Sequence, residues 1–224
     1  MNYIFFIGGS GARVYKSFLH ACASGVVCVD KANVMLLDAD SKNAACIESC
    51  KLFRLYEQHH KTFHQAKCSF LPFHCDIHMY QDKAVSPISA EISQLSQITG
   101  ENNTRKRILS WFYTEEERNQ NLEKGFYAHP NIGCMFFQDF GNNKHLNECL
   151  QDIISDLQNN KPVRVVIVGS VFGGTGAAGI PSILKILEQK AKEGVEVRFM
   201  YDGMCSIMLL PHNYPKKMEA RGIR

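Results

Sequence analysis

One local arrangement occurs twice in this chain and limits its fold more than any other feature: a short apolar run that passes into a glycine-rich bend and then into a helical pattern. Tyr3-Ile4-Phe5-Phe6-Ile7 runs into Gly8-Gly9-Ser10-Gly11, and Val163-Arg164-Val165-Val166-Ile167-Val168 runs into Gly169 to Gly179, which holds five glycines and leads into a helix through Leu187. A continuous apolar run of strand length reads as a strand buried on both faces, which needs helices on both sides of its sheet. The expected fold class is therefore α/β: a three-layer, doubly wound, mainly parallel, Rossmann-like sheet. Ligands of such sheets bind outside the carboxyl ends of the strands, where both glycine bends lie.

The rest of the chain fits this frame. A helix is expected from near Ala12, with Val14, Phe18, Leu19, Ala21 and Cys22 at helical spacing until Gly25 stops it. Val34-Met35-Leu36-Leu37 reads as a second strand ending at Asp38-Ala39-Asp40, parallel to the first through a right-handed crossover. Ser41 to Gln58 reads as helix, and Cys68 to Tyr80 as a third strand in which Pro72 argues for an edge position or a break. Residues 81–122, with Pro87, Gly100 and polar residues around Trp111, read as a helical insertion on the sheet surface. A loop with Pro130 and Gly133 then precedes an amphipathic helix carrying Leu146, Leu150, Ile153, Ile154 and Leu157. Gly194 ends the helix after the second glycine bend. Extended stretches Val195–Met200 and Cys205–Leu210, joined at Asp202-Gly203 and closed by Pro211, follow.

Composition narrows the function classes. At 224 residues and 45% hydrophobic content the chain can bury one core, so a single domain over 1–224 is expected. A net charge of +3, with basic and acidic residues interspersed, argues against nucleic acid or a membrane as partner, and Arg105-Lys106-Arg107 reads as a solvated helix face. Nine cysteines without a C-x-x-C pair, and no signal peptide, point to reduced thiols and a cytoplasmic location. The apolar runs fall far short of the roughly 20 residues that cross a bilayer. His59, His60, His64, Cys68, His74, Cys75 and His78 are crowded enough to suggest zinc but lack paired ligand spacing.

The glycine bends carry the chemistry. Gly8-Gly9-Ser10-Gly11 lets backbone amides approach an anion at the positive end of the following helix. Gly173-Gly174-Thr175-Gly176 repeats the arrangement with a hydroxyl donor, Thr175. No Gly-Lys-Ser/Thr follows, so neither bend is a Walker loop, and neutralising charge has to come from backbone dipoles, a metal ion or another chain. The competing explanation for each bend is glycine used for close packing.

Taken in order, these motifs resemble the tubulin/FtsZ superfamily. Phe172-Gly173-Gly174-Thr175-Gly176-Ala177-Ala178, with Pro181 after it, is similar to the family's signature glycine loop, and Gly8-Gly9-Ser10-Gly11-Ala12-Arg13-Val14 to its first phosphate loop. Leu37-Asp38-Ala39-Asp40 resembles its acidic loop after the second strand. Gly125-Phe126-Tyr127-Ala128-His129-Pro130-Asn131-Ile132-Gly133 is similar to the FtsZ loop that faces the terminal phosphate, and Leu209-Leu210-Pro211 through Ala220-Arg221-Gly222-Ile223 to the stretch after the fifth strand. The resemblance covers residues 1 to about 45 and about 122 to 224. Phe172 and Ala178 stand where the family usually has glycine, and Asn131 follows Pro130 where FtsZ places asparagine before it. The longer stretch before Pro130 fits bacterial tubulin-like proteins better than a division FtsZ.

The resemblance implies a tubulin-type nucleotide-binding domain that takes GTP or GDP with Mg2+ and self-associates into filaments or oligomers. Its implied nucleotide contacts are Gly8, Gly9, Ser10, Gly11, Ala12, Asp40, Pro130, Gly133, Phe172, Gly173, Gly174, Thr175 and Gly176, with Asp40 also orienting the metal. Asp38 is the weaker candidate, since an aspartate after a strand also caps helices, with Ser41 sharing that task. His129 is a further donor candidate. Family members complete hydrolysis with a later acidic loop after a long central helix, so the stretch ending at Arg224 is expected to be C-terminally incomplete and to turn nucleotide over negligibly. Two other classes stay open: a Rossmann-type dinucleotide enzyme, and a scaffold that keeps the fold without using nucleotide.

Overall fold

The structure, a computed structural model, describes residues 1–27, 29–40, 42–65, 72–88, 93–99, 103–127, 129–140, 143–192, 196–200 and 213–222. Strand β1 (Asn2–Ile7) leads into α1 (Gly8–Ala23), then β2 (Lys31–Leu37), α2 (Ala44–Gln65) and β3 (Asp76–Met79). A 3-10 turn (Leu95–Thr99), α3 (Asn103–Phe112), α4 (Glu115–Asn119) and a second 3-10 turn (Leu122–Lys124) come next. They are followed by α5 (Pro130–Asp139), α6 (Lys144–Gln158), β4 (Arg164–Gly169), α7 (Gly174–Lys192), β5 (Glu196–Met200) and α8 (Tyr214–Glu219).

The sheet has five strands in the order β3-β2-β1-β4-β5, every pair parallel. The chain works outward from β1 to β3, then returns to the other side of β1 for β4 and β5, so strand order reverses between β1 and β4. Ile7 is in register with both Leu37 and Gly169, which brings the ends of β1, β2 and β4 to one level. Successive β1 residues feed opposite faces. Tyr3, Phe5 and Ile7 pack with α5, α6 and α7 through Phe136, Phe137, Ile153 and Leu187. Phe6 packs with α1 and α2 through Tyr15, Leu19, Phe53 and Tyr56. Burial on both sides is why β1 is apolar without alternation.

Several expectations shift. Helix α1 starts at Gly8, not near Ala12, and its buried face is Gly11, Ala12, Tyr15, Leu19 and Cys22, while Val14 is 45% exposed. The sequence stripe passed over Tyr15, whose hydroxyl reaches Met79 while its ring is buried. β2 begins earlier than expected, and α2 runs on past Gln58 to Gln65. β3 is only four residues long and takes the edge. Within 81–122 the described residues are helical only over Leu95–Thr99, Asn103–Phe112, Glu115–Asn119 and from Leu122, and they are tied into the fold: Val85 bridges to Leu37, and Leu95, Leu109 and Leu122 are buried in the core. Gly133 lies within a helix rather than a loop, because Pro130 takes the first helical position of α5, where its missing N–H costs nothing. Lys106 and Arg107 are exposed on α3, as a solvated face requires. Gly194, Asp202-Gly203, Cys205–Leu210 and Pro211 lie outside the described residues.

Away from the carboxyl edge, Asp156 ties α6 to β1. It accepts from Tyr3 Oη at 2.7 Å and pairs with Lys161 at 2.8 Å. Burial alone raises its pKa, but these donors outweigh that and hold it below the usual carboxylate range. Asp156→Ala leaves a buried tyrosine hydroxyl unpaired and is expected to cost about 2 kcal/mol in urea denaturation. No loss of stability would show that the tie contributes nothing.

Candidate functional site

At the carboxyl edge, between β1 and β4, lies a cavity of about 200 Å³ lined by Ile7 to Ser10, Asp38, Asp40, Asn43, Lys124 to Tyr127, Ser170 and Gly173 to Gly176. The two glycine bends meet there: a Cβ placed on Gly8 would lie 3.5 Å from the Gly176 nitrogen and 3.6 Å from the Thr175 Cβ. The geometry depends on glycine in two ways. Gly8 turns the chain from β1 into α1 at φ 71°, a left-handed conformation that side chains disfavour. Gly176 sits so close to the preceding loop that a Cβ would fall 2.0 Å from the Ser170 carbonyl oxygen.

Both α1 and α7 therefore begin at the cavity. The first N–H groups of a helix have no partner within it, and Ile7 offers α1 no side-chain cap. Those amides, with the positive ends of two helix dipoles, suit an anion.

Asp38 organises the loop beyond β2. It is 3% exposed and accepts from the Asp40 amide at 3.2 Å, Asn43 Nδ2 at 2.7 Å, Cys46 Sγ at 3.2 Å and Thr175 Oγ1 at 3.2 Å. The Thr175 hydroxyl is thus directed at Asp38, and its amide is what remains for a ligand. Asn43, rather than Asp38, caps α2 by accepting from the Ala45 amide at 3.0 Å, and Ser41 lies outside the described residues. Burial pushes the Asp38 pKa up, against the four donors. Because the folded pKa is raised, the carboxyl's contribution to stability is full below the unfolded value of about 3.9 and falls as pH rises through the folded one. Asp38→Asn escapes that loss. Its unfolding free energy relative to wild type is expected to improve between about pH 4 and pH 7 in urea denaturation, and a pH-independent difference would contradict this.

Asp40 is half-buried, and its side chain accepts from the Lys42 amide at 2.8 Å. The bend at 125–127 closes the cavity on this side: Gly125 has φ 98°, and a Cβ there would lie 3.7 Å from the Asp40 Cβ. Tyr127 holds φ 46°, a strained conformation for a bulky residue and one that gathers at ligand sites.

Of the residues expected from sequence, Gly8, Gly9, Ser10, Asp40, Gly173, Gly174, Thr175 and Gly176 line the cavity. Gly11 and Ala12 are buried behind it, where a Cβ on Gly11 would lie 2.8 Å from the Phe6 carbonyl carbon. Pro130 opens α5 outside the lining, Gly133 packs that helix on Ala178 and Phe126, and Phe172 is 57% exposed beside the cavity. Gly125, Phe126 and Tyr127, from the motif likened to the terminal-phosphate loop, line it too, while Asn43, Lys124 and Ser170 join without having been singled out. A cap position and a lysine before a glycine carry little signal along the chain, since tertiary folding brings them here.

Among the histidines near β3, His59, His60 and His78 make ring contacts, while the His64 side chain lies outside the described set. His59 and His60 face Phe73 and Tyr56 at ring distances of 5.4 and 6.2 Å, and His74 pairs with Asp30 at 3.0 Å. Among the described residues no three His, Cys, Asp or Glu side chains are grouped to hold a metal. Cys68 lies outside those residues. Nor is any described helix long and apolar enough to cross a membrane.

A parallel sheet whose order reverses between two glycine-opened helices defines a Rossmann-like α/β protein, a class whose ligands bind at the switch point. The family described as "Tubulin like" matches residues 7–223, and this chain belongs to that family. An uncharacterized protein of Streptococcus mutans serotype c is 57% identical over 42 residues, which are 19% of this chain and 9% of that protein. No solved structure matches the chain significantly.

Proposed function

We propose that the chain is a tubulin-like nucleotide-binding domain that holds the phosphates of GTP or GDP, with magnesium, between its two glycine bends. The observation that carries this is the contact of those bends around one cavity at the ends of β1 and β4. At about 200 Å³ the cavity suits a phosphate chain rather than a whole nucleotide, so the nucleoside extends beyond it. Magnesium takes one or two carboxylates and completes its shell with phosphates and water. Asp40 offers one carboxylate at the cavity, while the Asp38 oxygens are engaged by four donors. Held by Asp40, magnesium would supply counter-charge to the phosphates. The amides of Gly9, Ser10, Gly174 and Thr175 orient the chain.

The same proposal takes residues 1–224 as one domain with an insertion at 81–122, working in the cytoplasm. Binding is the activity assigned to it, with hydrolysis left to groups outside this cavity. Family membership supports GTP as the nucleotide and self-association as the outcome. Titration with GTP, ATP and NAD in magnesium is the test. Preferential GTP binding is expected, whereas a preference for NAD would favour a dinucleotide enzyme, and a folded protein that binds none of them would favour a scaffold. Sedimentation with GTP against GDP tests self-association, which is expected to be greater with GTP.

A further inference from the structure

Among the described residues that line the cavity Lys124 is the single lysine or arginine, in a site whose glycine bends carry no lysine of their own. The backbone that presents it is firmly held. It ends the 3-10 turn Leu122–Lys124, in which Leu122 is fully buried and its amide donates to the Ser93 carbonyl at 3.0 Å. Asn121 caps the turn by accepting from the Glu123 amide at 2.9 Å, and the Gly125 amide closes it on the Leu122 carbonyl at 2.9 Å. Lys124 itself is exposed, and among the described residues no carboxylate pairs with it. The next residue, Gly125, stands against Asp40. The fixed backbone thus roots a flexible four-carbon stem on the Asp40 side of the cavity, within reach of a ligand bound there.

We propose that Lys124 neutralises the outermost phosphate of a bound nucleoside triphosphate, and so makes the site favour a triphosphate over a diphosphate. This rests on the nucleotide-binding reading above. Asp40 would hold magnesium on this side of the cavity, where the ion would supply counter-charge to the outer phosphates of a triphosphate. The cation on the same side therefore meets the terminal phosphate, the group that a diphosphate lacks. An ammonium–phosphate hydrogen bond is charge-assisted, so removing it acts on the ligand that reaches it.

Calorimetric titration of the full chain with GTP and with GDP, in magnesium, separates the outcomes for wild type, Lys124→Ala and Lys124→Arg. Thermal melting checks that each variant is folded. Lys124→Ala is expected to weaken GTP binding about 10- to 100-fold and GDP binding less than about 3-fold, with Lys124→Arg recovering most of the GTP affinity. Equal losses for the two nucleotides, or no loss for either, would overturn the inference and leave nucleotide binding standing. A folded wild type that binds neither nucleotide would overturn the underlying reading instead.

Discussion

Replacing Gly176 with alanine is expected to weaken binding of magnesium–GTP by at least about 100-fold and to cost about 3 kcal/mol of stability. The added methyl would fall 2.0 Å from the Ser170 carbonyl oxygen, which is backbone and has no flexible end to swing aside. Either the 170–173 loop or the first turn of α7 has to move, and the amides facing the cavity move with it. Gly173→Ala is the control, because a Cβ there meets nothing within 4 Å. Its stability is expected to stay within about 0.5 kcal/mol of wild type. Urea denaturation and calorimetric titration of both variants read the two effects. A Gly176→Ala protein with wild-type stability and affinity would show that the close approach of the two segments is irrelevant to binding.

The second large effect is expected at Asp40. Asp40→Asn keeps an oxygen that can accept from the Lys42 amide, so the turn after β2 survives, but it removes the charge offered to the metal. GTP affinity in magnesium is expected to fall about 10- to 100-fold, while affinity in chelator stays near that of wild type. An equal loss under both conditions would point to damage to the loop rather than loss of a metal ligand.

The architecture was legible because it is written in local pattern. The apolar runs of β1 and β4 carry no alternation since both their faces are buried, and each is followed by glycines that close packing and a left-handed turn require. Those features gave the strands and the end of the sheet where the cavity lies, while the switch point follows from the strand order of the folded sheet. Details set by tertiary contact were less readable. Tyr15 was missed as a core residue because its polar tip hides an apolar ring, and Val14, the more apolar by type, points outward. Gly133 sits in a glycine-containing motif, but its space is filled by Ala178 and Phe126, so it serves helix packing. Asp38 read as the weaker metal candidate, with helix capping as the competing explanation. Its partners Cys46 and Thr175 come from α2 and α7, and only the fold brings Thr175 across 137 positions to meet it. Lys124 was hidden for the same reason: the 3-10 turn that aims it is fixed by burial of Leu122.

A crystal structure of the chain with GTP and magnesium tests the central claim most directly. The account predicts one phosphate chain lying within about 3 Å of amide nitrogens from both residues 8–11 and residues 173–176, with the metal next to Asp40. Phosphates bound elsewhere on the protein, or touching only one of the two bends, would contradict it.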